Sequence, residues 1–430
     1  MKLNYIIIFL LFSTMLQAQQ TLTVDEAISI GLKNNYGIQI ARNTAEAAKI
    51  NNTPGNAGML PTAEIVGGGN YDLNNSYQKY GDGTERSISG LSTTGINAGA
   101  QLKWTLFDGG KMFVTKEKLN EIERLGTLEF KDQVLQTTYQ IILAYYDVVR
   151  QKQQLTAINE LLNYNKERVK ISDAGYNAGS MLKSDLLQAK IDMNVTSQSI
   201  ISQEYMINTS KKELNNLLGR DAETEFEIDE IIRIGYVPDR NEIQKKLYEN
   251  NTAYLMHQKQ IEIARLSVKE NERANLPSFD MKGGYYYNQT FNSGGTTLNN
   301  RLHGPGIGGT LIVPLYTGGE TKRKIAASKI EVLNAESNLQ QTRLELNSTL
   351  QNALQDFENQ QKLLVIENEN NALTKENLET SLQRLRYGQA TSLEVHQAQE
   401  YFVQSSTRLI NFQFQLKIAE TKLKLLIAEL

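Results

Sequence analysis

The sequence predicts a mainly α-helical chain with a four-stranded β contribution, built from two copies of one unit. Three observations carry this. Short sequence patterns recur about half a chain apart. Apolar residues recur at every seventh position over two long stretches. Two pairs of segments alternate apolar with polar residues.

The repeat comes first because it organises the rest. Leu60-Pro61 recurs as Leu276-Pro277, an offset of 216 residues. Leu106-Phe107-Asp108-Gly109-Gly110 recurs as Leu315-Tyr316-Thr317-Gly318-Gly319. Gly179, followed by Gln188-Ala189, recurs as Gly388, followed by Gln397-Ala398. Leu214 and Leu217 recur as Leu423 and Leu426. These last three matches share an offset of 209 residues. A constant offset excludes insertions, as long helices require, because one extra residue rotates everything after it by about 100°. The change of offset falls between Leu60 and Leu106, where a loop absorbs it. The period is far longer than that of solenoid repeats.

The N-terminus reads as a secretory signal peptide over residues 1–18. Lys2 supplies a charge, Tyr5 to Phe12 an apolar core, and Leu16-Gln17-Ala18 a small-residue cleavage site. A first structural repeat then covers 19–218, a linker 219–238 and a second repeat 239–430. Each repeat opens with a helix, one from the Thr23-Val24-Asp25-Glu26 cap to about Asn52, the other from Asp239 to about Ala274. Leu-Pro ends each helix, since proline disfavours a helical residue before it.

Strand pairs follow at 62–73 with 95–107 and at 278–291 with 306–315. In the first pair Ala63, Ile65, Tyr71 and Leu73, then Ile96, Ala98, Leu102 and Trp104, alternate with polar residues. In the second, Phe279, Met281, Tyr285 and Tyr287, then Ile307, Leu311 and Val313, do the same. One apolar face over about ten residues is the pattern of a lipid-facing barrel strand. Tyr71, Trp104, Phe107, Tyr285, Tyr287 and Tyr316 are candidates for aromatic girdles at the membrane interfaces. Asn74 to Thr94, rich in Asn, Ser, Gly and Tyr, reads as a loop.

A very long helix follows each strand pair. Val134, Ile141, Val148, Leu155, Leu162 and Val169 keep a strict heptad. Leu350, Phe357, Leu364, Leu378 and Leu385 keep it in the second repeat, with Asn371 as the break. Such a pattern means coiled-coil packing. The first runs from Gly110 to Ala174, about 100 Å of helix. Each helix breaks near a glycine, and a returning helix completes a helical hairpin. The linker is acidic and irregular, with Phe226-Glu227-Ile228 as a short strand.

Composition bounds the function. The 430 residues carry 45 basic and 48 acidic side chains, a net charge of -3, so there is no basic excess for nucleic acid. The absence of cysteine excludes disulfides, thiolate metal sites and a cysteine nucleophile. Outside the signal peptide, no apolar run approaches the roughly 20 residues of a spanning helix, so membrane insertion requires a barrel. Four strands cannot close one alone, since small bacterial barrels start at about eight. Several chains must therefore combine. Catalysis has no visible basis. His257, His303 and His396 lack ligand spacing, Gly109-Gly110-Lys111 lacks the spacing of a phosphate loop, and the Gly304–Gly309 run opens a strand. No catalytic residue, cofactor or metal is expected. A periplasmic coiled-coil scaffold without a pore explains the heptads but not the alternating strands, and a cell-wall enzyme lacks an acid/base site.

Taken in order, the Leu-Pro pairs, the two Gly-Gly motifs after the strands, and Arg384-Leu385-Arg386-Tyr387-Gly388-Gln389-Ala390-Thr391-Ser392-Leu393-Glu394-Val395 resemble the TolC-like outer-membrane efflux factors. The resemblance covers essentially the whole mature chain. It implies a homotrimer with a twelve-stranded barrel in outer-membrane lipid and a twelve-helix periplasmic tunnel. It also implies docking onto a periplasmic adaptor and coupling to an inner-membrane pump of RND, ABC or MFS type, for export of small molecules, drugs, metals or proteins.

By the family pattern, gating acids follow the two hairpin glycines. Asp185 and Glu394 take these equivalent positions, and three copies of Glu394 would form an acidic ring. The family's second acid is Gln397 here and its arginine is Ala390, which leaves Lys183, Arg384 or Arg386 to take the arginine's place. Gly179, Ser180, Met181, Gly388, Ala390, Thr391 and Ser392 are the adaptor-docking candidates, where small residues admit close approach.

Overall fold

The structure is a computed structural model that describes residues 21–430. The predicted signal peptide lies outside the described residues. The helices are α1 (Val24–Asn34), α2 (Tyr36–Asn51), α3 (Lys111–Asn177), α4 (Lys183–Leu217), α5 (Arg240–Asn250), α6 (Thr252–Arg273), α7 (Glu320–Arg386) and α8 (Ser392–Leu426). The strands are β1 (Thr21–Leu22), β2 (Thr62–Lys79), β3 (Glu85–Asp108), β4 (Glu227–Ile228), β5 (Ser278–Asn292) and β6 (Asn299–Ile312). The chain is largely helical. Both long helices, α3 and α7, have 67 residues, and both return helices, α4 and α8, have 35.

The contacts divide the chain into two compact units. One holds the chain up to Thr44, Leu128–Leu255 and Gln340–Leu430; the other holds Ala45–Thr127 and Met256–Leu339. Each unit takes segments from both halves of the sequence.

The second unit contains a four-stranded antiparallel sheet in the order β2-β3-β5-β6. The register sets Ile65, Ala100, Tyr285 and Pro305 side by side, and next to them Ala63, Leu102, Gly283 and Ile307. Paired residues share a face, so the expected apolar positions lie on one side. A bulge between Thr105 and Phe107 brings Phe107, rather than Leu106, opposite Phe279. The segment expected to loop from Asn74 to Thr94 is instead mostly strand. β2 and β3 continue as a two-stranded ribbon, paired as far as Lys79 and Glu85. At its other end β6 stops at Ile312, short of the predicted residue 315.

The first unit is a helical body with three apolar clusters. In one, Ile141, Val148 and Val149 of α3 pack with Leu214 and Leu218, and with Leu22 and Ile228. β1 and β4 pair in parallel beside it, Leu22 opposite Ile228. In a second, Leu350, Leu354 and Phe357 of α7 meet Ile243 and Leu247 of α5 and Leu416 and Leu423 of α8. The third, Leu378, Leu382 and Leu385 with Val395, Ala398 and Phe402, closes the hairpin of α7 and α8. Burying each such leucine or phenylalanine contributes about 1.5–3 kcal/mol.

The opening helix of each half is broken, where continuous helices were expected. Asn35 separates α1 from α2. Its Oδ1 accepts from the Ile38 N–H at 3.2 Å, and its Nδ2 donates to the Leu217 carbonyl at 2.8 Å. Asn251 does the same between α5 and α6, with the Tyr254 N–H at 3.1 Å and the Leu426 carbonyl at 3.0 Å. An asparagine that caps a new helix and ties it to a neighbouring helix end outweighs the propensity to continue.

Candidate functional site

The helical hairpins turn at two matching places. At the first, Gly179 has φ +73°, the Ser180 N–H donates to Gly175 at 2.8 Å and the Gly179 N–H to Tyr176 at 3.0 Å. At the second, Gly388 has φ +68°, Gln389 donates to Arg384 at 2.8 Å and Gly388 to Leu385 at 3.0 Å. Both are Schellman caps, which satisfy the last carbonyls of a helix through a left-handed residue. Each bond recurs 209 residues further on (388 less 179).

The candidate gating acids stand at the third position of the returning helices. The Glu394 N–H donates to Thr391 Oγ1 at 3.2 Å, and Thr391 Oγ1 donates to Glu394 Oε1 at 3.3 Å. Asp185 Oδ2 accepts from the Leu182 N–H at 3.3 Å. Both acids therefore cap their helices, and Glu394 remains exposed. Gln397 is exposed and donates to the Tyr401 hydroxyl at 3.0 Å. Of the three cations considered, Arg384 comes within 3.9 Å of Glu394 and donates to the Gln389 carbonyl at 2.9 Å. Arg386 pairs with Glu167 of α3 at 2.5 Å. Lys183 is exposed.

Among the docking candidates, Gly179, Ser180, Gly388 and Thr391 are exposed, while Ala390 and Ser392 are half-buried. Met181 is half-buried and turned inward. It packs on the cluster of Leu378, Leu385 and Val395 and covers Gly175, where an added Cβ would lie 2.8 Å from its Cγ. Tyr387 and Leu393 add exposed apolar surface at the second turn.

Sequence reasoning missed a polar cluster just behind these turns. Arg168 of α3 is 1% exposed and donates to Asp192 of α4 at 2.7 Å and to Gln399 of α8 at 2.9 Å. Gln399 in turn donates to Asn165 at 3.0 Å, and Asn165 to Thr196 at 2.7 Å. Nearby, the Tyr164 hydroxyl donates to Glu379 of α7 at 3.1 Å, and burial together with that carboxylate pushes its phenol up to about 12. The heptad places Val169 on the seam, but Asn165, Arg168 and Ser172 are the buried residues here, because α3 packs against both α4 and α8.

The sheet presents two contrasting faces. On the polar face Glu64 pairs with Lys103 and accepts from Gln101 at 2.6 Å, and Thr105 donates to Asp280 at 2.7 Å. On the other face Ile65 is 88% exposed and Ile307 82%, an apolar surface with no protein cover in the monomer. Trp104 donates its indole N–H to the Met59 carbonyl at 2.9 Å. Along β3, Trp104 lies ten residues from Thr94, the partner of Tyr71 on one side and Phe291 on the other. Ten residues span about 33 Å. Trp104, Phe107 and Phe279 thus lie at one level of the sheet and Tyr71 and Phe291 at another. The register sets Tyr285 opposite Ala100 and Tyr287 opposite Ala98, between those levels. Tyr316 lies beyond the end of β6 and is exposed. Among the described residues no helix is long and apolar enough to cross a membrane, and no group of acids and histidines is placed to hold a metal ion.

Comparison with known proteins decides what this arrangement belongs to. The model of the outer membrane efflux protein family matches residues 27–220 and 244–429. The chain belongs to that family. Efflux proteins of this family are transport channels of the outer membrane, and transporters rather than enzymes. The chain is 19% identical over 341 residues to the proteases secretion protein PrtF of Dickeya chrysanthemi, covering 74% of this chain and 69% of that one. It is 22% identical to the outer membrane efflux protein BepC of Brucella suis, covering 76% and 70%. Its fold matches the outer membrane protein VceC of Vibrio cholerae with a TM-score of 0.75 at 15% identity, over 94% of this chain and 96% of that one.

Proposed function

We propose that this efflux protein is one subunit of a homotrimeric exit duct, exported by its signal peptide and coupled through a periplasmic adaptor to an inner-membrane pump. The sheet carries the argument. Its order leaves β2 and β6 with one unpaired edge each, and one whole face is apolar and exposed. Unpaired edges are costly in lipid, and closure into a barrel removes them. Four alternating strands per chain leave β6 antiparallel to the β2 of a following copy, so three copies close into twelve strands without breaking the pattern. The helical unit offers edges of the same kind. Leu187, Ile191, Val195, Ile201 and Tyr205 form an exposed stripe along α4, and Leu363, Ile366 and Leu373 one along α7. Stripes with a helical period want a helix beside them, and a second copy supplies it.

In this reading the two halves are two copies of one unit, the polar sheet face lines the channel, and Trp104, Phe107 and Tyr71 sit at the lipid interfaces. The hairpin turns meet the adaptor through Gly179, Ser180, Gly388, Ala390, Thr391 and Ser392. Three Glu394 carboxylates ring the narrow end, steadied by Arg384 in place of the missing family arginine, and attract cations. The cargo is a small molecule, a metal or a protein; PrtF is named for secreting proteases and BepC for efflux.

Reconstitution of the purified protein in planar bilayers tests this. Discrete, cation-preferring current steps are expected. Glu394→Gln keeps a side chain of the same shape on Thr391 and removes the charge, so steps of similar size with weaker cation preference are expected. A chain that assembles but carries no current would be the scaffold without a pore.

A further inference from the structure

Asp192 of α4 is where three helices meet. Its Oδ2 accepts from the Arg168 guanidinium of α3 at 2.7 Å and lies 3.1 Å from Nδ1 of His396 on α8. Its Oδ1 accepts from the Gln188 amide at 2.8 Å. Arg168 is held in turn by Gln399 at 2.9 Å and by Ser392, whose hydroxyl accepts at 3.1 Å. A guanidinium stays charged in proteins, and its bond to Asp192 is an ion pair in which the Arg168 side chain is 1% exposed. Nδ1 of His396 stands at ion-pairing distance from that carboxyl group. A neutral imidazole carries one hydrogen on its ring nitrogens and can take a second proton on the other. The His396 side chain is 38% exposed and that of Asp192 14%. The proton can arrive from solvent, while the charge it creates faces a carboxylate largely shielded from water.

We propose that His396 and Asp192 form a proton-dependent tie between α4 and α8, and so between the two helical hairpins of one chain. Imidazole is the side chain whose charge changes between about pH 5 and 8. Protonation converts the contact from one with a neutral ring into an ion pair. The surrounding charges allow this. Arg168 on α3 opposes a second positive charge, but it is pinned by Gln399 and Ser392 and shares its charge with Asp192. Glu400 lies one turn along α8 from His396 and is exposed. On α7, Arg386 and Arg384 are turned to Glu167 and Glu394. The tie lies within one chain and does not rest on the channel reading.

Hydrogen exchange of the first turns of α4, measured on the full chain in detergent, tests it. The wild type is compared with His396→Gln at about pH 5.5 and about pH 8, always at equal pH so that intrinsic exchange rates cancel. The expected result is exchange severalfold slower in the wild type than in the variant at the lower pH, and equal at the higher. In an Asp192→Asn background the same substitution should change nothing at either pH. His396 is part-exposed, so its variant keeps the fold. A difference of the same size at both pH values, no difference at the lower pH, or one that survives in the Asp192→Asn background overturns the tie.

Discussion

At the scale of single residues, the coiled coil is held by polar groups as well as apolar ones. Glu367 of α7 is 6% exposed. Burial pushes its carboxyl up, but bonds from Arg408, Ser405 and Asn370 outweigh this and hold it below the usual carboxylate range. A lowered value in the fold stabilises the protein above the unfolded value, about 4.3 for Glu, and that contribution is lost as the pH falls through the lower folded value. Replacing Arg408 with Ala leaves Glu367 short of its charged partner and should cost about 1–3 kcal/mol. In thermal unfolding, the gap between wild type and Glu367→Gln should be largest near neutrality and close in acid; a gap that widens in acid would contradict the assignment. The heptad marked Asn371 only as a gap. The structure fills it with the bond from its amide to Ser406 at 2.9 Å. Which partner lies opposite depends on the register of α7 against α8, which one strand of sequence does not contain. Arg168 is hidden for the same reason, since a single heptad describes one packing partner and α3 has several.

At the scale of elements, turn chemistry was the most legible feature. The hairpin glycines, the Thr23 cap with Glu26 and the Leu276-Pro277 stop just past α6 lie where the sequence predicts, because each depends on neighbours in the chain, whereas α2 ends at Asn51, well before Leu60-Pro61, which does not terminate it. The Asn35 and Asn251 breaks were not legible, since their carbonyl partners Leu217 and Leu426 are more than a hundred residues away. The ribbon past Asn74 was read as a loop from its polar composition, yet strands with water on both faces have no apolar alternation to show. The ends of α4 and α8 extend the matching of the two halves. Gly219 takes the left-handed position after α4 with φ +66°, and Ala428 takes it after α8 with φ +57°. An L-residue there costs roughly 1–2 kcal/mol. Ala428→Gly should therefore raise the unfolding midpoint, while Gly388→Ala, whose new Cβ would meet nothing within 4 Å, should lower stability through the backbone alone, by about the same amount. Equal midpoints for both variants would show that these positions relax freely.

At the scale of the whole molecule, four alternating strands imply, in the exit-duct reading, that chains combine, but not how many. Alternation on four strands reveals an apolar face, and only the sheet order reveals that the unpaired edges belong to β2 and β6. Glu394 is both a helix cap and the exposed acid beside Arg384, so a charge-neutral substitution is the one that separates its two roles. The most direct measurement of the central claim uses the absence of cysteine. One cysteine replaces Ile65 on β2 and a second is placed in turn at residues 303 to 309 on β6, followed by oxidation in membranes. The exit-duct account predicts, for at least one pairing, covalent dimers and trimers that end at the trimer. No cross-linking at any position, or a ladder that continues past three chains, would contradict it.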